Sequence, residues 1–117
     1  MEFNQYNTTV QQWIHTVLEN RETNADVVLE CCRDIIAYGR KTDDPKLMGF
    51  GFFYGGEIYY ELNDGAHFFH MMTEALMYLD RAEEWELVVR CYNFLGIASM
   101  SRGNPSLALD YYMNGLK

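Results

Sequence analysis

Apolar positions along this chain recur at three- and four-residue spacing, the rhythm of a helix with one buried face, and short polar breaks interrupt it. Thr8 and Thr9 precede Gln11 and Gln12 as capping boxes, predicting a first helix through about Asn20. Arg21-Glu22-Thr23-Asn24 reads as a turn, with Thr23 or Asn24 capping a second helix to about Arg40. Asp44 before Pro45 is a strong start signal, because proline at the first helical position gives up an N–H that has no partner there anyway. That third helix runs to about Leu62, and Asn63-Asp64-Gly65 is the next turn. A fourth helix is expected over about 66–79, and Asp80-Arg81-Ala82 leads into a fifth ending near Arg102. Gly103-Asn104-Pro105 stops it and opens a sixth that runs into the end of the chain. Six helices, short turns and no strand-like alternation predict an all-α fold.

A shift of about 40 residues brings these helices into register. Asp43-Asp44-Pro45-Lys46-Leu47 falls on Glu83-Glu84-Trp85-Glu86-Leu87, Tyr38 on Tyr78, Gly56 on Gly96 and Asn63 on Gly103. Glu74-Ala75-Leu76 falls on Asn114-Gly115-Leu116, keeping a small residue before Leu. Acidic helix starts are common, so the preserved turn spacing carries more weight than any one match. It predicts an α-solenoid of about three antiparallel helix pairs, near 8–40, 44–79 and 83–117. A helical bundle without true repeats is the alternative.

The last pair carries the sharpest motif: Tyr92-Asn93-Phe94-Leu95-Gly96, then Gly103-Asn104-Pro105, then Ala108 and Tyr111-Tyr112. This resembles the second half of a tetratricopeptide (TPR) repeat, two antiparallel helices whose small residues let them approach closely. The resemblance is strongest over about 84–116 and looser over 44–79. Thr16 stands where Gly56 and Gly96 stand, and Gly55-Gly56 replaces the Leu-Gly pair in the middle unit. Phe68 stands where Ala108 does, so a wider or shifted middle pair is expected. The long units, aromatic-rich helices and acidic balance also resemble the repeat regions preceding GGDEF diguanylate cyclase domains in bacterial signalling proteins. That implies a non-catalytic interaction or sensory module controlling a C-terminal cyclase. The repeat region of a peptide-responsive transcription regulator, a stand-alone adaptor and an enzyme built in a helical bundle are the alternatives.

Composition narrows the partners. The 117 residues are 49% hydrophobic, enough for a core, and 9 Lys plus Arg against 17 Asp plus Glu leave a formal net charge of −8. No cluster of basic residues interrupts that field, which argues against nucleic acid and anionic membrane and for a protein or peptide partner. No apolar run reaches the roughly 18 residues of a membrane span, and the N-terminus lacks the basic and apolar regions of a signal peptide, so a cytoplasmic setting is expected. Cys31, Cys32 and Cys91 read as reduced, mostly buried thiols.

Three constellations invite a chemical reading. Gly49, Gly51, Gly55 and Gly56 suggest a phosphate loop, but no strand precedes them, and close helix packing explains them better. Gly55-Gly56-Glu57 continues into Ile58-Tyr59, not into the acid and Phe of a cyclase signature. His67, His70 and Glu74 share a helix face, yet zinc sites need a fourth partner and supporting hydrogen bonds, so an ordinary half-exposed face is expected. No metal, cofactor or catalytic residue is expected.

The resemblance implies that the first helix of each pair lines a concave surface. Its candidate binding residues are Trp13 and Val17, then Phe53, Glu57, Tyr60 and Glu61, then Asn93, Ile97 and Met100. Aromatic rings among carboxylates suit a peptide with apolar anchors and a basic group. Leu107, Ala108, Tyr111, Tyr112 and Leu116 give the last helix an apolar face without a polar cap. The expectation is an N-terminal fragment of a longer protein or, alternatively, a face that pairs with a second copy.

Overall fold

The computed structural model of the chain describes residues 1–115; Leu116 and Lys117, which the sequence assigns to the sixth helix, lie outside them. The fold is all-α, with helices α1 (Thr8–Asn20), α2 (Ala25–Lys41), α3 (Pro45–Glu61), α4 (Gly65–Arg81), α5 (Trp85–Ser101) and α6 (Pro105–Gly115). Each helix packs chiefly on its neighbours in the chain, and the array is elongated, 44 × 28 × 21 Å. This is consistent with a repeat-like solenoid.

The turns explain the regular spacing. Helices α2 to α5 are each 17 residues long, and the turns after them place Asp43, Asn63, Glu83 and Gly103 in the left-handed region at φ 52°, 58°, 59° and 75°. Each turn closes with two backbone bonds of the Schellman type: Asp44 N–H to the Gly39 carbonyl at 2.8 Å and Asp43 N–H to that of Arg40, for example. The same pair recurs at Asp64 and Asn63, at Glu84 and Glu83, and at Asn104 and Gly103. The residue that ends the motif also caps the next helix, so three residues stop one helix and start another. Asp44 Oδ1 and Asp64 Oδ1 accept from the backbone three residues on, whereas the longer Glu84 side chain makes no such bond.

Two sequence expectations shift. Asn7, not Thr8 or Thr9, caps α1: its extended backbone lets Oδ1 accept from the Val10 N–H at 2.9 Å. The middle pair is not spread by Phe68. A Cβ on Gly56 would stand 3.0 Å from Met72 of α4, one turn after Phe68, and one on Gly49 2.6 Å from Leu79, so α3 and α4 stay in close approach along their length. Phe68 is fully buried because its ring turns towards Tyr60 and Phe94, filling the space between the second and third pairs.

The core centres on α3, where residues 47–58 are all buried. Lying between α2 and α4, α3 is apolar all round, as a helix without a solvent face must be. Its glycines meet both neighbours, Gly51 against Ile36 of α2 and Gly56 against Met72 of α4, which is the close packing expected of them. Phe52 stacks on Tyr78 with rings 5.8 Å apart, and Phe50 and Phe53 are fully enclosed. Burying such a side chain contributes about 1.5–3 kcal/mol each.

Candidate functional site

The nine candidate groove residues separate into four environments. Val17 and Phe53 are fully buried core. Trp13 is half-buried, its ring edge-on to Tyr38 of α2 at 6.3 Å, and Tyr60 is half-buried against Phe68 and Phe94. Glu61, Asn93, Ile97 and Met100 are exposed. Glu57 is none of these: it is buried and ion-paired.

Glu57 joins all three helix pairs. Arg21, the residue after α1, donates through Nε and a terminal nitrogen to both carboxylate oxygens at 2.8 and 2.7 Å, a bidentate fork. Arg90 of α5 donates to Oε2 at 3.2 Å. The hydrogen bond to Glu57 raises the Arg21 guanidinium above its ordinary value. Both cations also lie over rings of α3, Arg21 over Tyr54 at 5.1 Å and Arg90 over Phe53 at 4.8 Å. Counted alone, the two guanidiniums and one carboxylate carry a single net positive charge. The carboxylate that the sequence offers to a basic ligand is therefore already engaged, and only Glu22 and Glu61 line the adjoining hollow of about 560 Å³ as acids besides it.

The other chemical candidates take structural roles. His67 Nδ1 lies 2.8 Å from Asp64 Oδ2 with its ring stacked on Tyr59, while His70 meets Phe52 edge-on. The His67 N–H holds the Asp64 carboxyl below the usual range. No group of three or more His, Cys, Asp or Glu side chains able to hold a metal occurs among the described residues. Burial pushes the Cys91 thiol up to about 12 and raises Cys32 and Cys31 as well. No helix among the described residues is long and apolar enough to cross a membrane.

The α5–α6 end of the described array is different in kind. In the 40-residue register Glu57, Tyr60 and Phe69 fall on Ile97, Met100 and Leu109. The first three hold α5 in place: Glu57 through Arg90, Tyr60 through Phe94, and Phe69 beneath the Arg102 guanidinium at 4.2 Å. Their counterparts meet no further helix among the described residues and are 41%, 54% and 59% exposed. From Cys91 to Gly115 the charged side chains are Arg102 and Asp110 alone, one of each sign. Comparison of the chain with protein-family models, with curated proteins and with solved structures returns no match in any of the three.

Proposed function

We propose that this chain is a non-catalytic, cytoplasmic interaction module of a signalling protein, and that it pairs with a second copy of itself through the α5–α6 end of the described array. One observation carries the reading: this end repeats the positions that hold one helix pair to the next, in apolar and electrically neutral form. Elsewhere two copies carrying −8 each repel one another, so this end is where their approach meets least opposition. In the setting implied by the resemblance to TPR-like regions ahead of diguanylate cyclase domains, pairing the modules brings two output domains together. The exposed aliphatic surface of Ile97, Met100 and Leu109 supports a modest contact, about 1 kcal/mol for each side chain when half of it is removed from water. Leu107 and Met113 are also exposed on α6 and bring the total to about 10 kcal/mol over both copies. After an association cost of about 4–6 kcal/mol, a dimer in the range of tens of micromolar to millimolar follows.

Sedimentation equilibrium of residues 1–117 tests this. The expected mass rises from 13.7 kDa towards twice that value with concentration, and Met100→Asp returns it to the monomer. A strict monomer at about 1 mM, where a contact of only 4 kcal/mol already populates dimers, overturns the reading. So does a dimer indifferent to Met100→Asp.

A further inference from the structure

The six residues before the N-cap of α1 are folded back onto the molecule. The Tyr6 N–H donates to the Phe3 carbonyl at 3.2 Å, a β-turn that sets the two rings side by side, 6.1 Å apart. Phe3 meets Phe50 of α3 edge-on at 5.2 Å. Lys46 places its ammonium 5.0 Å from the Phe3 ring and 6.0 Å from the Tyr6 ring, and donates to the Glu2 carbonyl. Tyr6 Oη donates to Asp44 Oδ2 at 2.8 Å, and burial followed by this bond raises the phenol above its ordinary value. Met1 and Phe3 close a hollow of about 210 Å³ whose walls include Leu18 of α1, Phe50 and Tyr54 of α3, and Leu87 and Arg90 of α5.

Those walls come from the first helix of each pair, the surface expected to receive a ligand. Ordering six residues that lie outside any helix costs about 1–2 kcal/mol each, and such a segment stays docked only where its contacts offset that loss. Here two rings, a shared cation and a phenol–carboxylate bond supply the offset. The segment thus occupies the groove as a ligand does, and its chemistry states what the groove accepts.

We propose that the α1–α3–α5 groove is a binding site for a peptide turn presenting two aromatic rings three residues apart, and that Met1–Tyr6 is its resident competitor. A partner peptide of this form displaces the segment, its leading ring entering against Phe50 and its second hydroxyl-bearing ring reaching Asp44. Lys46 lies beside both rings, which selects aromatic over aliphatic anchors because only a π face attracts the ammonium. This site is carried by Asp44, Lys46 and Phe50, none of which the pairing of two copies involves, so the two readings are tested by different residues.

The probe is a synthetic peptide of residues 1–7, Met-Glu-Phe-Asn-Gln-Tyr-Asn, titrated calorimetrically into the full chain carrying Phe3→Ala and Tyr6→Ala. A short tether supplies a millimolar effective concentration, so a segment bound nine-tenths of the time in cis implies a Kd in trans at or below about 0.1 mM. Wild-type chain, its groove already filled, should bind the peptide at least about 10-fold more weakly, in proportion to its unoccupied fraction. A peptide with its own Phe3→Ala should bind neither. No binding to the double variant with its helical circular dichroism intact, equal binding to both chains, or undiminished binding of the altered peptide each overturns the proposal. Should the double variant fail to fold, wild-type chain decides the matter: saturating peptide must speed hydrogen exchange at the Tyr6 amide several-fold, and unchanged exchange overturns the proposal.

Discussion

Helices α3 and α5 have the same length, start 40 residues apart and follow turns of the same geometry, yet they occupy opposite situations. Helix α3 is enclosed along its middle twelve residues, with Phe53 fully buried and Glu57 locked by two arginines. At the corresponding places α5 exposes Asn93 and Ile97. Helix α4 runs alongside α3 as far as Arg81, bringing Tyr78 and Leu79 over Phe52 and Gly49. At the places on α5 that match Gly49 and Pro45, Val89 and Trp85 are 40% and 55% exposed. Register alone therefore does not make a position core or surface. What packs against it does.

The strongest way to break this comparison is to truncate one large apolar side chain on each of the two helices. Phe53→Ala should cost about 3–5 kcal/mol in urea unfolding, because the enclosed site cannot collapse around the void. Ile97→Ala, four residues beyond the Phe53 counterpart, should stay within about 0.5 kcal/mol at concentrations where the chain is monomeric. Similar losses at both places would remove the distinction between the two helices.

A middle-sized effect is expected at the ion cluster. Glu57→Ala leaves two guanidiniums facing each other, which in a sealed interior costs about 3–5 kcal/mol. Arg21 and Arg90 keep 28% and 34% of their side-chain surface in water and can rehydrate, so about 2 kcal/mol is expected. The same unfolding measurement reads it, and a neutral Glu57→Ala would mean that the cluster ties no helix pairs together.

The smallest effect sharpens the turn geometry. Glu83 and Gly103 occupy the same left-handed position, one with a side chain that disfavours it and one without. Glu83→Gly should stabilise by about 0.5–1 kcal/mol, while Gly103→Ala, which meets no neighbouring atom within 4 Å, should destabilise by about 1 kcal/mol through its φ alone. Effects of the same sign would show that the two turns are not equivalent.

Legibility varies from residue to residue. Asp44-Pro45, Asn63-Asp64-Gly65 and Gly103-Asn104-Pro105 announce their turns through local chemistry that acts over three or four residues. Glu83 gives no such signal, and its left-handed backbone is visible beforehand only as a partner of Asp43, Asn63 and Gly103 at equal spacing. Among the candidate site residues, helical periodicity can say that Phe53 and Glu57 share a face, but not that the face is covered. Phe3 and Tyr6 are absent from the candidates that periodicity selects, although two aromatic residues in an otherwise polar lead-in to a helix are a usable sign of docking.

The sequence by itself determined the number of helices, most of the turns between them and the 40-residue repetition of those turns, because caps, glycines and hydrophobic rhythm act between near neighbours. Only the tertiary structure decided that Glu57 is spoken for by Arg21 and Arg90, that Phe3 lies on Phe50, and that Ile97 and Met100 stand uncovered. The pairings of Glu57 and Phe3 join residues more than thirty positions apart, and the exposure of the other two depends on which helix arrives beside them. Packing sets those outcomes, and no local preference encodes it.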